Sequence, residues 1–235
     1  MSLTSKKLIA KAETFKGIKA GIARRKDILN APSYKKILKK DKWGFKLLDK
    51  EAKKTEWQDN AKSLIILGLN HPENKPELDW WNGKNTDGNR KLMETSDNLI
   101  EWLKNNYQLD ASSLPYYAEY GGVFLKDTAV YAGLGIIGKN NLLINPEWGP
   151  RIRLRAILLN AEFQPNKPLQ NFSPCDACNI KCQSACPKNC FAQGFYNRDN
   201  CITQLNTDKA KSMQNSKNPF IKFCRSCEFA CPVGK

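Results

Sequence analysis

The first 174 residues of this 235-residue chain contain no cysteine, and the whole chain has one histidine, His71. The first absence excludes a disulfide framework of the kind small secreted domains spread through their whole length. Long apolar runs are missing too: nothing approaches the roughly 18–20 residues needed to cross a bilayer. The start, Met1 to Lys7, has no apolar signal-peptide core, so the chain reads as soluble and cytoplasmic, with no membrane partner. Arg24 and Arg25 look like a twin-arginine pair, but Lys26 and Asp27 stand where an apolar run would follow, which argues against export. Repeats and low-complexity segments are absent. Acidic residues are scarce, 23 against 38 Lys and Arg, for a formal charge of +15. Residues 1–60 hold 17 of the basic and 7 of the acidic side chains, so +10 lies in the first quarter. A mass of 26.7 kDa allows one large domain or a domain with a small appendage.

All nine cysteines fall between Cys175 and Cys231. The odd number and a reducing compartment disfavour disulfides, which leaves metal ligation by zinc or iron–sulfur. The spacing is Cys175-x2-Cys178-x3-Cys182-x3-Cys186-Pro187, then Cys201, then Cys224-x2-Cys227-x3-Cys231-Pro232. Zinc ribbons use paired Cys-x2-Cys units but give no reason for a proline after the last cysteine of each run. Two-cluster ferredoxins do show that ending, and their runs exchange the fourth ligand. Applied here, Cys175, Cys178, Cys182 and Cys231 hold one 4Fe–4S cluster, and Cys186, Cys201, Cys224 and Cys227 hold the other. Cys190 is spare. Two departures stand: one extra residue between Cys178 and Cys182, and 22 residues between Cys201 and Cys224. Eight thiolates and two oxidised cores bring the charge from +15 to about +11. Two adjacent clusters read as a wire for single electrons, with a purely structural cluster as the alternative.

In the remainder, Ala10–Phe15 reads as part of an amphipathic helix, Ile18–Ala23 as a strand, and Ser33–Asn60 as a solvated lysine-rich segment. Ser63–Leu69 is a buried strand ending in a turn at Asn70–Pro72, which makes His71 a turn residue rather than a metal ligand. Asn82–Gly88 is loop, and Asp87 with Asn89 offers an N-cap to a helix whose Leu92, Ser96, Leu99, Leu103 and Tyr107 form a core-facing stripe. Val123–Ala132 reads as a helix stopped by Gly133 and Gly135. The Gly-x-Gly-x-x-Gly form at 133–138 is not a dinucleotide site, because the helix precedes it instead of following it. Arg151, Arg153 and Arg155 alternate with apolar residues on a half-buried strand; a solvated face is favoured over an anion pocket. Pro165–Pro174 is the linker into the cysteine segment.

The motif Ala132–Asn140 (AGLGIIGKN), Asn145 and the paired cysteine runs together resemble epoxyqueuosine reductase, a cobalamin-dependent family with two 4Fe–4S clusters, related in core fold to corrinoid reductive dehalogenases. Phe15–Ile22, Ala61–Leu67 and Cys201–Leu205 extend the likeness. The resemblance implies an α+β fold: a nitroreductase-like, cobalamin-binding core over 1–168 and a ferredoxin-like, two-cluster domain over 169–235. It puts Gly135, Ile137, Gly138, Lys139 and Asn140 near the corrin. The family's general-acid Asp, about thirteen residues before the AGLG motif, corresponds to Glu119, one methylene longer. Asp127, Tyr117 and Tyr120 are nearby alternatives, and an ordinary exposed loop acid is the bland reading of Glu119. The family's tRNA-gripping helical repeats are not expected, since the chain stops four residues after Cys231.

Three functions remain open at this point. The first is an oxidoreductase that passes electrons from a reduced ferredoxin- or flavodoxin-type donor through two clusters to cobalamin and then to a small-molecule or tRNA substrate. The second is an electron-transfer or corrinoid-handling protein without its own substrate. The third, motivated by the basic first quarter, is a nucleic-acid-binding module with structural clusters.

Overall fold

The computed structural model describes residues 2–33, 60–191, 196–214 and 220–235. The lysine-rich segment falls largely outside the described residues. The chain forms two compact units, each assembled from separated stretches.

The first unit comprises residues 1–69, 92–135 and 154–170. Thr4 caps helix α1 (Ser5–Glu13), its hydroxyl accepting the Lys7 N–H at 3.2 Å. Leu8 and Ala12, one turn apart, are the buried face of α1, which packs on β1 (Ile18–Arg24). A one-turn helix α2 (Arg25–Ile28) follows. Strand β2 (Ser63–Asn70) pairs antiparallel with β1, Ile18 opposite Leu69 and Arg24 opposite Ser63. The sheet order is β1-β2-β6-β3, with β3 (Ala111–Ser113) antiparallel to β6 (Ile152–Leu159). The apolar run of β2 is buried at every position except Asn70.

Helix α3 (Asp87–Tyr107) turns Leu92, Ser96, Leu99 and Leu103 inward, and the three leucines join the core around Ile22, Ile65 and Ile157. Its cap is Thr86, whose hydroxyl accepts the Asn89 N–H at 3.1 Å; Asp87 is already helical, one residue later than the cap position expected for it. Helix α4 (Leu125–Tyr131) also packs on β1 and is followed by Gly133 at φ +72°.

A close approach explains Gly21 in β1. A Cβ there would lie 2.1 Å from the Ala132 carbonyl oxygen at the end of α4. Because that obstacle is backbone, Gly21→Ala has to push strand and helix apart, an overpacking cost of about 2–3 kcal/mol. The melting temperature is expected to fall by roughly 5–10 °C. An unchanged melting point would show that α4 is free to move off β1.

The second unit comprises residues 70–91, 136–153 and 171–235. Strands β4 (Ile136–Ile137) and β5 (Leu143–Ile144) form a hairpin. The Gly138 N–H donates to the Leu142 carbonyl at 2.9 Å, and Asn141 takes φ +57° in the turn. The glycine motif therefore leads from a helix end into a β-hairpin, which its residues alone did not disclose. Three helices, α5 (Lys181–Ser184), α6 (Arg198–Gln214) and α7 (Ser226–Phe229), carry or flank the cysteines. Among the described residues no helix is long and apolar enough to cross a membrane.

Candidate cluster-binding and reductase site

The two Cys-x3-Cys-Pro runs fold alike. Helix α5 starts one residue before Cys182 and α7 one residue before Cys227. Ala185 N–H donates to Lys181 and Ala230 N–H to Ser226, both at 3.0 Å. Cys186 N–H then donates to Gln183 at 3.1 Å and Cys231 N–H to Glu228 at 3.3 Å. Each run is a single helical turn that delivers its last cysteine at a proline, which cannot continue the helix. The two turns pack against each other.

Cys175, Cys178, Cys182 and Cys231 line one pocket of about 350 Å³, measured with its open mouth, together with Lys139 and Asn140 of the hairpin. Burial raises the Cys182 thiol pKa above its ordinary value, with the Cys231 and Cys175 thiols adding to it. Burial also raises Cys231, and Cys175 and Cys178 act on it in the same direction. Lys139 Nζ donates to the Cys175 carbonyl at 3.0 Å, fixing the hairpin to the cysteine loop. Among the described residues, which include all nine cysteines, no three His, Cys, Asp or Glu side chains are grouped to hold a metal ion.

The other five cysteines share a second neighbourhood. Burial pushes the Cys227 thiol up to about 12, helped by Glu228 and then by Cys224, Cys201 and Cys186. Cys186 goes the other way: burial opposes its ionisation, but the amides of Cys190 and Lys188, the Cys190 thiol and the Asn189 amide outweigh burial. The first of these is a Cys190 N–H to Cys186 Sγ bond of 3.3 Å. Cys190 itself is buried and its thiol is pushed up to about 12, by burial and then by Cys186 and Cys201. Burial raises the Tyr196 phenol as well, followed by its hydrogen bond to Cys201. Helix α6 accounts for the long gap before Cys224. It carries Cys201 near its start, and two turns on the Asp208 carboxylate accepts the Cys224 N–H at 2.8 Å.

His71 and the arginine ladder hold a finding that the sequence reading did not anticipate. His71 is fully buried, its Nδ1 2.9 Å from Asp79 Oδ1. Arg153 reaches Asp79 at 2.9 Å and Glu228 at 3.0 Å. Arg225, between Cys224 and Cys227, lies 2.5 Å from Asp79 Oδ2, pairs with Glu228, and donates to the His71 carbonyl at 2.9 Å. With His71 neutral, two arginines balance two carboxylates. Arg151 is buried and donates to the carbonyls of Glu228 and Val233. Arg151 and Arg153 are therefore neither a solvated face nor an anion pocket; they bind the Cys224–Cys231 run from behind. Strand alternation is the same whether a face meets water or fixed carboxylates, so the pattern alone did not separate the two.

Burial, ahead of every other effect, lowers the His71 pKa; Asp79 opposes this, and Arg153 and Arg225 add to it. The unfolded chain takes up this proton near the ordinary value of about 6.5, and the folded chain only at lower pH, so stability drops as pH falls below about 6.5. His71→Gln is expected to flatten that part of the profile in anaerobic urea melts between pH about 7.5 and about 5.5. Parallel profiles for the two proteins would show that His71 does not carry the effect.

Glu119 lies in the 3-10 turn Ala118–Tyr120, and its side chain is outside the described residues. Tyr117 and Tyr120 beside it are exposed. Asp127 is 3 % exposed and accepts the Ser33 N–H at 2.9 Å, so it is committed to holding the backbone. Gly135 closes a stretch of the first unit, whereas Ile137, Gly138, Lys139 and Asn140 belong to the hairpin of the second. A Cβ on Gly138 would fall 2.2 Å from Ile144 Cδ1, so a larger residue there would have to turn the Ile144 side chain aside. Ile137 is the hairpin's exposed apolar side chain.

No family model matches the chain. An epoxyqueuosine reductase of Lactococcus garvieae is 24 % identical over 243 residues, covering 96 % of this chain and 64 % of that protein. This chain has epoxyqueuosine reductase homologues along nearly its whole length. It spans less than two thirds of the Lactococcus protein. Among solved structures, epoxyqueuosine reductase from Streptococcus thermophilus superimposes with a TM-score of 0.68 at 22 % identity, covering 97 % of this chain and 66 % of that one. An epoxyqueuosine reductase solved with an epoxyqueuosine-modified tRNA-Tyr stem loop gives 0.64 at 20 % identity, over 97 % and 64 %. A catabolic reductive dehalogenase gives 0.66 at 13 % identity, over 98 % and 32 %. The mixed helix and sheet fold is thus shared by epoxyqueuosine reductases and reductive dehalogenases.

Proposed function

We propose that this chain is a cytoplasmic iron–sulfur and cobalamin-dependent reductase that acts on epoxyqueuosine in a tRNA stem loop. The observation that carries this reading is the gathering of Cys175, Cys178, Cys182 and Cys231 around one pocket, with a second group of cysteines beyond it. In this reading residues 1–168 are a nitroreductase-like core and 169–235 a ferredoxin-like segment with two 4Fe–4S clusters, charged by a reduced ferredoxin- or flavodoxin-type donor. Four thiols on one pocket supply the four ligands that a 4Fe–4S cluster takes. For the corrin, Ile137 is the apolar contact that the hairpin leaves open, while Gly138, Lys139 and Asn140 are engaged in holding the turn and the cysteine loop. Cobalamin, when bound, supplies low-potential cobalt chemistry to the substrate. Removing an epoxide oxygen takes two electrons and two protons and releases water; Glu119 is the residue assigned to deliver a proton to that oxygen.

The test is anaerobic reconstitution with iron, sulfide and cobalamin, followed by incubation with an epoxyqueuosine-containing stem loop and a chemical reductant. Loss of one oxygen from the nucleoside, read by mass spectrometry and dependent on cobalamin, is expected. A reconstituted protein that retains both cofactors and leaves the nucleoside intact would overturn the substrate assignment.

A further inference from the structure

Asn140 is 3 % exposed and lines the cysteine pocket. Its side chain has one partner: Oδ1 accepts the Leu142 N–H at 3.1 Å across the hairpin turn. That bond fixes which end of the amide is oxygen, because the N–H of Leu142 needs an acceptor. The other end, Nδ2, is buried with no acceptor among the described residues. A buried donor left unmade costs on the order of 1–3 kcal/mol, and such groups in folded proteins nearly always have a partner. Asn140 is also held firmly. Gly138 leaves room for Oδ1, which would lie 3.1 Å from any Cβ there, and the neighbouring Lys139 ties the hairpin to the Cys175 carbonyl.

The acceptors this donor lacks are those a cluster brings into the pocket: inorganic sulfides and thiolate sulfurs, which carry partial negative charge. We infer that Asn140 Nδ2–H donates a hydrogen bond to a sulfur of the cluster held by Cys175, Cys178, Cys182 and Cys231, and thereby raises its reduction potential. The inference rests on the cluster reading given above. One electron taken from the reductant converts the 2+ core to the 1+ core, and the added charge is spread over the sulfurs. A fixed N–H bond to sulfur is stronger after reduction than before, so it favours the reduced state. Asn140 is in this sense a positioning and tuning residue.

Two variants separate the donor from the turn. Asn140→Asp keeps an oxygen for Leu142 N–H and loses the donor, but adds charge. Asn140→Leu loses the donor at similar size without adding charge, and Asn140→Ala replaces it should leucine not fold. Each is reconstituted, its iron is counted, and its reduction is followed by potentiometric titration with electron paramagnetic resonance. The expected result is iron content equal to the parent protein and one of two clusters harder to reduce in both the Asp and the Leu (or Ala) variants. The reduction equilibrium should shift about tenfold, about 59 mV for one electron. A shift in the Asp variant alone is a charge effect and overturns the inference, as do unchanged potentials in both. A parent protein that assembles no reducible cluster overturns the cluster reading itself, a different outcome from unchanged potentials on intact clusters.

Discussion

Cys182→Ser should lose about half or more of the iron that the parent protein takes up, out of about eight atoms expected for two 4Fe–4S clusters. Cys190→Ser should keep nearly all of it. The contrast follows from where the two thiols sit. Cys182 lines the pocket with Cys175 and Cys231; burial chiefly raises its pKa, the amides of Cys182 and Gln183 offset that only in part, and a bound cation would stabilise the thiolate. Cys190 is buried beside Cys186 and Cys201, and its backbone N–H donates to the Cys186 sulfur, a contact that survives replacement of its side chain. Serine also keeps a donor in place of the thiol. The measurement is iron and acid-labile sulfide per chain after anaerobic reconstitution. Full iron in Cys182→Ser together with loss in Cys190→Ser would show that Cys190 is a ligand and that the extra residue between Cys178 and Cys182 shifts the pattern.

Glu119→Gln should retain fold, iron and cobalamin but reduce turnover by roughly a hundredfold to ten-thousandfold, the range for removing one general acid. Glutamine keeps the size of glutamate and loses the transferable proton. Of the other candidates, Asp127 is already engaged by the Ser33 amide inside the first unit, which leaves Glu119 and the exposed Tyr117 and Tyr120. Single-turnover product formation from the stem loop, compared with Tyr117→Phe and Tyr120→Phe, assigns the acid. Unchanged turnover in Glu119→Gln with a large loss in one tyrosine variant would move the role to that phenol; no loss in any of them would leave proton delivery to the solvent.

Strands β1, β2 and β6 were legible in the sequence because unbroken or alternating apolar runs have few other uses, and the stripe on α3 because its leucines repeat at the helical period. Ligand spacing is local, and Cys175, Cys178, Cys182 and Cys231, grouped from it, line one pocket. The hairpin β4–β5 was not: two-residue strands carry no period, and Asn141 at positive φ is no more visible in a sequence than any other asparagine. Nor was the pairing of His71 and Arg153 with Asp79, and of Arg225 with Glu228. His71–Asp79 and Arg225–Glu228 are local pairs, but what joins them is Arg153 on Asp79 and Glu228 and Arg225 on Asp79, contacts across more than 70 positions that no short-range pattern encodes.

The second unit is stitched from three passes of the chain, with the Gly138 hairpin, Arg151 and Arg153 supplied from the middle one. A gene fragment cut at residue 169 is therefore expected not to fold on its own. It leaves behind Lys139 on the Cys175 loop, Arg151 on the Val233 carbonyl, and Arg153, which with Arg225 joins Asp79 to Glu228.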